Sequence, residues 1–180
     1  MKRSRHTMSL LQRGAVLVLW AFMLTAQSLA SAQTRPAPAP SEPRPPVLID
    51  QVWAGTGVRY DAVSAGPVVY IGYYDAERYL TVARYDSERG ELRKKRLDDR
   101  FTGWDAHNHV TLALDVAGRL HVAANMHVTP LVYARMTRPD DLDSLTLLNR
   151  MTGSDERHTT YPQFFRFPGG DLGFTYRSGR

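Results

Sequence analysis

Val68–Tyr85 reads VVYIGYYDAERYLTVARY. Two runs rich in β-branched and aromatic residues, Val68–Tyr74 and Tyr79–Tyr85, flank the polar connection Asp75–Arg78. Such residues fit a pleated, half-buried surface, and a short polar break between two such runs marks a β-hairpin. The same signature predicts a second hairpin, Val110–Asp115 and Leu120–Asn125 around Val116–Arg119, continued by Leu131–Met136 and Leu145–Leu148. A third is predicted from Gln163–Phe167 and Leu172–Tyr176 around Pro168–Asp171. No long stretch keeps a helical period, so the chain reads as all-β.

The turn glycines reveal a repeat. Gly66, Gly118 and Gly170 are 52 residues apart, in the strings Ala65-Gly-Pro-Val68, Ala117-Gly-Arg-Leu120 and Gly169-Gly-Asp-Leu172. Leu80-Thr-Val-Ala-Arg84 is echoed 51 residues later by Leu131-Val-Tyr-Ala-Arg135. Short antiparallel strands recurring at 40–50 residues are the sequence form of a β-propeller blade. Residues 58–96 then form one blade, 108–149 a second and 160–177 half of a third, about two and a half in all. Because propellers close with four to eight blades, the expectation is an N-terminal, truncated part of a propeller, not a stable active monomer. A sandwich with coincident spacing is the alternative.

The remaining segments read as address and tether. Lys2, Arg3, Arg5 and Arg13 precede an uncharged run, Gly14–Ala26, and Ala30-Ser31-Ala32 supplies a small-residue cleavage pattern. That run has 13 residues, short of the roughly 20 a spanning helix needs. The expectation for 1–32 is a signal peptide of the Sec type, a secreted or periplasmic protein and no stable membrane span after cleavage; a retained N-terminal anchor is the alternative. Gln33–Pro46 holds six prolines and predicts an extended linker, leaving 47–180 as the folded domain. Residues 1–32 carry four Lys/Arg and no acid, so the formal charge of +5 falls to +1 without them. That balance excludes a nucleic-acid binder that depends on a clustered basic face. The one basic run, Arg93–Arg96, is interleaved with acids and reads as a solvated outer strand. With no cysteine, the fold must rest on a sizeable core or on metal rather than on disulfides.

Propeller ligand sites gather where inner strands begin and end. Trp104-Asp-Ala-His107-Asn108-His109 leads into the second blade, and Asn125-Met-His127 leaves its second strand. Thr159-Thr-Tyr161-Pro162 enters the third and Tyr176-Arg177 leaves it. Two imidazoles, a phenol and a guanidinium suit β-elimination of a uronic-acid polysaccharide. The proton beside the carboxylate becomes acidic once an always-charged Arg neutralises that carboxylate, and His and Tyr can take one proton and give another. A hydrolase would want paired carboxylates; Asp105 and Asp115 are the nearest, and Asp115 reads as a turn residue. His107 and His109 lie two apart, could share a strand face and bind a metal. His121, inside a strand, reads as structural.

The strings Gly103-Trp-Asp-Ala-His-Asn108, His121-Val-Ala-Ala-Asn-Met-His127, Met151-Thr-Gly-Ser-Asp-Glu156, Thr160-Tyr-Pro162 and Leu172-Gly-Phe-Thr-Tyr-Arg177 resemble the BNR-repeat-containing propeller family, which includes the seven-bladed ulvan lyases. The resemblance runs from about Val52 to Arg180. It implies that His107 and Tyr161 share acid–base work and that His127 and Arg177 neutralise the uronate carboxylate, with Asn108 beside them as a substrate-binding residue. It implies an acidic, ulvan-like polysaccharide substrate, a carbon–oxygen lyase activity and no cofactor for the chemistry; whether a structural metal is bound stays open. A non-catalytic glycan-binding propeller, using Trp53, Trp104 and Tyr161 as stacking platforms, is the second reading. A sialidase-like hydrolase is disfavoured because no Ser-x-Asp-x-Gly-x-Thr-Trp box occurs, and an inactive truncated piece is the last.

Overall fold

The computed structural model describes residues 45–148 and 150–179; the expected signal peptide and nearly all of the linker lie outside them. Among the described residues there is no α-helix, and no helix is long and apolar enough to cross a membrane. The first sheet is a four-stranded antiparallel meander of β1 (Asp61–Ala65), β2 (Val68–Tyr74), β3 (Tyr79–Asp86) and β4 (Glu91–Arg100), in that order. The second holds β5 (Thr111–Leu114), β6 (Leu120–Ala123), β8 (Tyr133–Met136) and β9 (Leu145–Leu148). The third is ordered β11 (Leu172–Ser178), β10 (Thr159–Arg166), β7 (His127–Thr129).

β3 is buried along nearly its whole length, which is why its apolar residues form a run where a one-sided strand would alternate. The charged outer strand β4 is mostly exposed. Three of its cations are ion-paired, Arg93 with Asp143, Lys94 with Asp50, and Arg96 with Asp75 and Glu77, while Lys95 and Arg100 donate to the carbonyls of Asp143 and Glu77. This matches the solvated outer strand expected of the Arg93–Arg96 run.

The main core lies between the first two sheets, where Leu80, Val82, Phe101, Leu120, Val122, Met136 and Leu145 are all fully buried. Each such side chain contributes about 1.5–3 kcal/mol through loss of apolar surface from water. A smaller cluster, Met126, Leu131 and Tyr133 against Phe164 and Phe174, joins the second sheet to the third. β5 lies against both β1 and β10. The first strands of the two four-stranded sheets and the central strand of the third are therefore side by side. This is the order of successive propeller blades.

Gly72 shows how closely the blades meet: a Cβ there would lie 2.8 Å from Val110 Cγ1 and 3.0 Å from Leu112 Cδ2. A polar tie reinforces the apolar seam. Arg84, only 6% exposed in its side chain, donates from Nε and Nη2 to the two Asp140 oxygens at 2.7 Å each, and the Tyr70 hydroxyl donates to the same carboxylate. The Arg84 guanidinium holds the Asp140 carboxyl below its usual range, while burial pushes Tyr70 up to about 12. Asp140→Asn keeps a residue type that tolerates the left-handed backbone there (φ 52°) but removes the charge opposite Arg84. The expected loss is about 2 kcal/mol, discounted because Asp140 is itself half-exposed. Urea unfolding of the variant against the parent measures it; an unchanged midpoint would show that the tie contributes nothing.

The structure also adjusts the expected boundaries. The blades run 61–100 and 111–148, with β10 and β11 covering 159–178. Gly118 and Gly170 occupy equivalent turns, Asp115–Arg119 and Phe167–Asp171, both with positive φ. Gly66 sits instead in a tight turn between Ala65 and Val68, which pair directly. The strand β7 was not expected: the segment after β6 leaves its own sheet and pairs with β10.

Candidate functional site

β7 and β10 build the site. Thr160 pairs with His127 on one side and with Arg177 on the other, so one residue of β10 brings β7 and β11 together. Between Thr160↔Arg177 and Gln163↔Thr175, Tyr161 and Pro162 oppose the single residue Tyr176. This is a β-bulge, the device by which a strand re-aims a side chain, and it accommodates a proline that has no N–H for the ladder. Tyr161 adopts φ 59° and remains 46% exposed. Val128 (φ 55°) and Asn125 (φ 52°) share this left-handed backbone close by in sequence to His127. For bulky or β-branched residues that conformation costs about 1–2 kcal/mol each. The Val128 N–H donates to Thr160 Oγ1 at 2.8 Å, and His109 Nε2 lies 3.2 Å from the Pro162 carbonyl oxygen. These contacts hold the bulge in place.

Four of the expected residues meet here. The His107 and His127 rings stack, with centroids 4.3 Å apart and planes 28° apart. The Tyr161 ring lies 5.4 Å from His107, and the Arg177 guanidinium carbon is 5.2 Å from the Tyr161 ring centroid. Arg177 donates to Thr160 Oγ1 at 3.3 Å, and among the described residues no carboxylate pairs with it. Tyr161 and Arg177 thus lie within strands instead of just outside them. Asn108 is buried, and its backbone N–H donates to the Asp105 carbonyl.

Asp105, considered from sequence only as a hydrolase carboxylate, proves to be the hub. Its Oδ1 is 2.5 Å from His107 Nδ1 and its Oδ2 meets His127 Nδ1. The His107 backbone N–H, donating to Oδ1 at 2.9 Å, holds the Asp105 carboxyl at about 2. Contacts with the two rings add to this and partial burial opposes it. An ionised carboxylate only accepts hydrogen bonds, so each ring carries a proton on Nδ1. This fixes the tautomer and leaves both Nε2 atoms as the working positions.

His109, which could have shared a metal with His107, has both ring nitrogens facing carbonyl oxygens, those of His107 and Pro162. The donor set within metal-binding reach is Asp105, His107 and His127, whose donor atoms lie within 4.8 Å of one another. Its chemistry would suit zinc. His121 is structural as expected: it contacts Asp115 and the Tyr133 hydroxyl, and burial pushes its pKa down.

Comparison with known proteins agrees with this architecture. An ulvan lyase from a polysaccharide lyase family, solved bound to GlcA(1-4)Rha3S, superposes with a TM-score of 0.54 at 18% identity over 66% of this chain and 31% of its own. The polysaccharide lyase Uly1 gives 0.59 at 16% identity over 78% and 40%. A further ulvan lyase structure gives 0.55 at 20% identity over 66% and 31%. At these identities the likeness concerns the fold, and the chain spans less than half the length of each. No curated protein matches the sequence. The model of the BNR repeat-containing family matches residues 68–180, well over half of the sequence and all three sheets but for β1, and on that match the chain belongs to the BNR repeat-containing family.

Proposed function

We propose that this chain carries the catalytic face of an exported lyase that cleaves a uronic-acid-containing, ulvan-like polysaccharide by β-elimination. The observation that carries this reading is a guanidinium with no carboxylate partner among the described residues, beside two oriented imidazoles and an exposed phenol. Arg177 receives the uronate carboxylate on its N–H fork, and a His127 ring protonated on both nitrogens adds a second donor to that group from Nε2. Spreading the carboxylate charge over these donors stabilises the carbanion-like charge that develops beside it. His107 Nε2, which carries the lone pair in this tautomer, takes the C5 proton as the C5–H bond breaks. The electron pair forms the C4=C5 double bond, the C4–O bond breaks, and the Tyr161 phenol protonates the leaving oxygen. Asn108, adjacent to His107 in sequence and buried, is the remaining substrate-binding candidate. No step needs a cofactor.

The exposed Trp104, 5.6 Å from Trp53, favours saccharide stacking in either a lyase or a purely glycan-binding propeller. The lyase reading predicts that protein recovered from the exported fraction, with its N-terminus at Gln33 after loss of 1–32, raises ultraviolet absorbance from unsaturated uronate when mixed with ulvan. No absorbance change with ulvan or any other uronate polymer, despite binding, would leave the glycan-binding reading.

A further inference from the structure

Beside the bulge lies a cavity of about 320 Å³, bounded by Arg59, Tyr60, His109, Thr111, Tyr161 and Gln163 among others. It lies where β1 and β5 begin and beside the bulge of β10, so all three sheets contribute to it. That volume is at the lower end for small-molecule pockets, about 300–1,000 Å³. Most of its polar groups are already committed. Asp61 accepts the Ala62 N–H with Oδ1 and the Leu112 N–H with Oδ2, at 2.8 and 2.7 Å. His109 has both ring nitrogens against carbonyl oxygens.

Arg59 is different. It is exposed, and among the described residues no acidic side chain pairs with its guanidinium. Next to it, Tyr60 is 73% exposed. A flat aromatic face left in water beside an uncommitted guanidinium fits a sugar ring with an anionic substituent: the ring stacks on Tyr60 and the anion takes the planar N–H fork of Arg59. Tyr161 lines the cavity and also touches His107, so a sugar held there would neighbour the uronate at Arg177.

We infer that the Arg59–Tyr60 cavity is a second saccharide subsite that recognises an anionic group, sulfate ester or carboxylate, on the sugar adjoining the cleaved uronate. This rests on the lyase reading of the neighbouring residues and adds the charge pattern of the polymer.

The test is calorimetric titration of the full chain and of its Arg59→Gln and Arg59→Lys variants with ulvan oligosaccharides, native and chemically desulfated. Expected is a roughly 10-fold weaker binding of the native oligosaccharide by Arg59→Gln, with partial recovery in Arg59→Lys. A loss confined to the native form identifies sulfate as the recognised anion; an equal loss on both forms identifies carboxylate. Arg59→Gln binding both forms as tightly as the parent overturns the subsite and leaves the lyase reading standing. Failure of the parent chain to bind any uronate oligosaccharide overturns the lyase reading and the subsite with it.

Discussion

Tyr161→Phe is expected to lower turnover of a uronate polymer about 10²–10⁴-fold, the range lost when a positioned acid–base group is removed, while KM stays within a few-fold. The substitution takes away one oxygen and nothing else. The ring that meets His107 at 5.4 Å and Arg177 at 5.2 Å is retained, as is the bulge held through Val128 and His109. The phenol is 46% exposed and its oxygen makes no hydrogen bond within the described residues that the fold would miss. Stability should therefore be unchanged, so a fall in kcat at constant melting temperature would report chemistry and not folding. A glycan-binding propeller predicts the opposite, with affinity intact and no turnover to lose. If the variant turned over as fast as the parent, Tyr161 would have no proton to move and the acid–base pairing with His107 would be wrong.

The physical reach of each sequence signal explains which features could be read from the chain. β2 and β3 were legible because two β-rich runs and a four-residue polar break are local facts, and the paired register from Val68↔Asp86 to Tyr74↔Leu80 follows from them. The repeat was legible through Gly118 and Gly170, which answer the same need for positive φ in equivalent turns. Gly66 answers that need in a shorter turn, so its matching spacing carried less structural meaning than it suggested. Strand β7 was hidden: three residues, one of them a valine at φ 55°, have no pattern of their own and are strand only because β10 pairs with them. The four candidate residues were legible through motif resemblance and through their places where inner strands begin and end. Asp105 was missed for a physical reason. In sequence it figures only as one of a hydrolase's paired carboxylates, and its local contact is the His107 N–H two positions on, which Oδ1 accepts. Its other oxygen contacts a ring 22 residues away, which no local pattern announces.

The second large effect follows from that oxygen. Asp105→Asn preserves the turn, since an amide oxygen can still accept the His107 N–H, but it replaces an acceptor of two imidazole N–H groups with one acceptor and one donor. One ring must then turn away or move its proton to Nε2, the atom assigned to the chemistry. By analogy with carboxylates that fix the tautomer of catalytic imidazoles, kcat is expected to fall about 10²-fold or more, with little change in polymer affinity while Arg177 remains. Asp105→Ala should fall at least as far; Asp105→Glu, one methylene longer, should recover only part. The carboxylate also has a pH signature. Its folded value of about 2 lies below the ordinary 3.8, so its contribution to folding is fully present above about pH 4 and is lost as pH falls towards 2. Carboxyl-carbon NMR titration of Asp105 would show that depressed midpoint. A midpoint in the ordinary range, together with full activity in Asp105→Asn, would mean that the two imidazoles orient themselves without it.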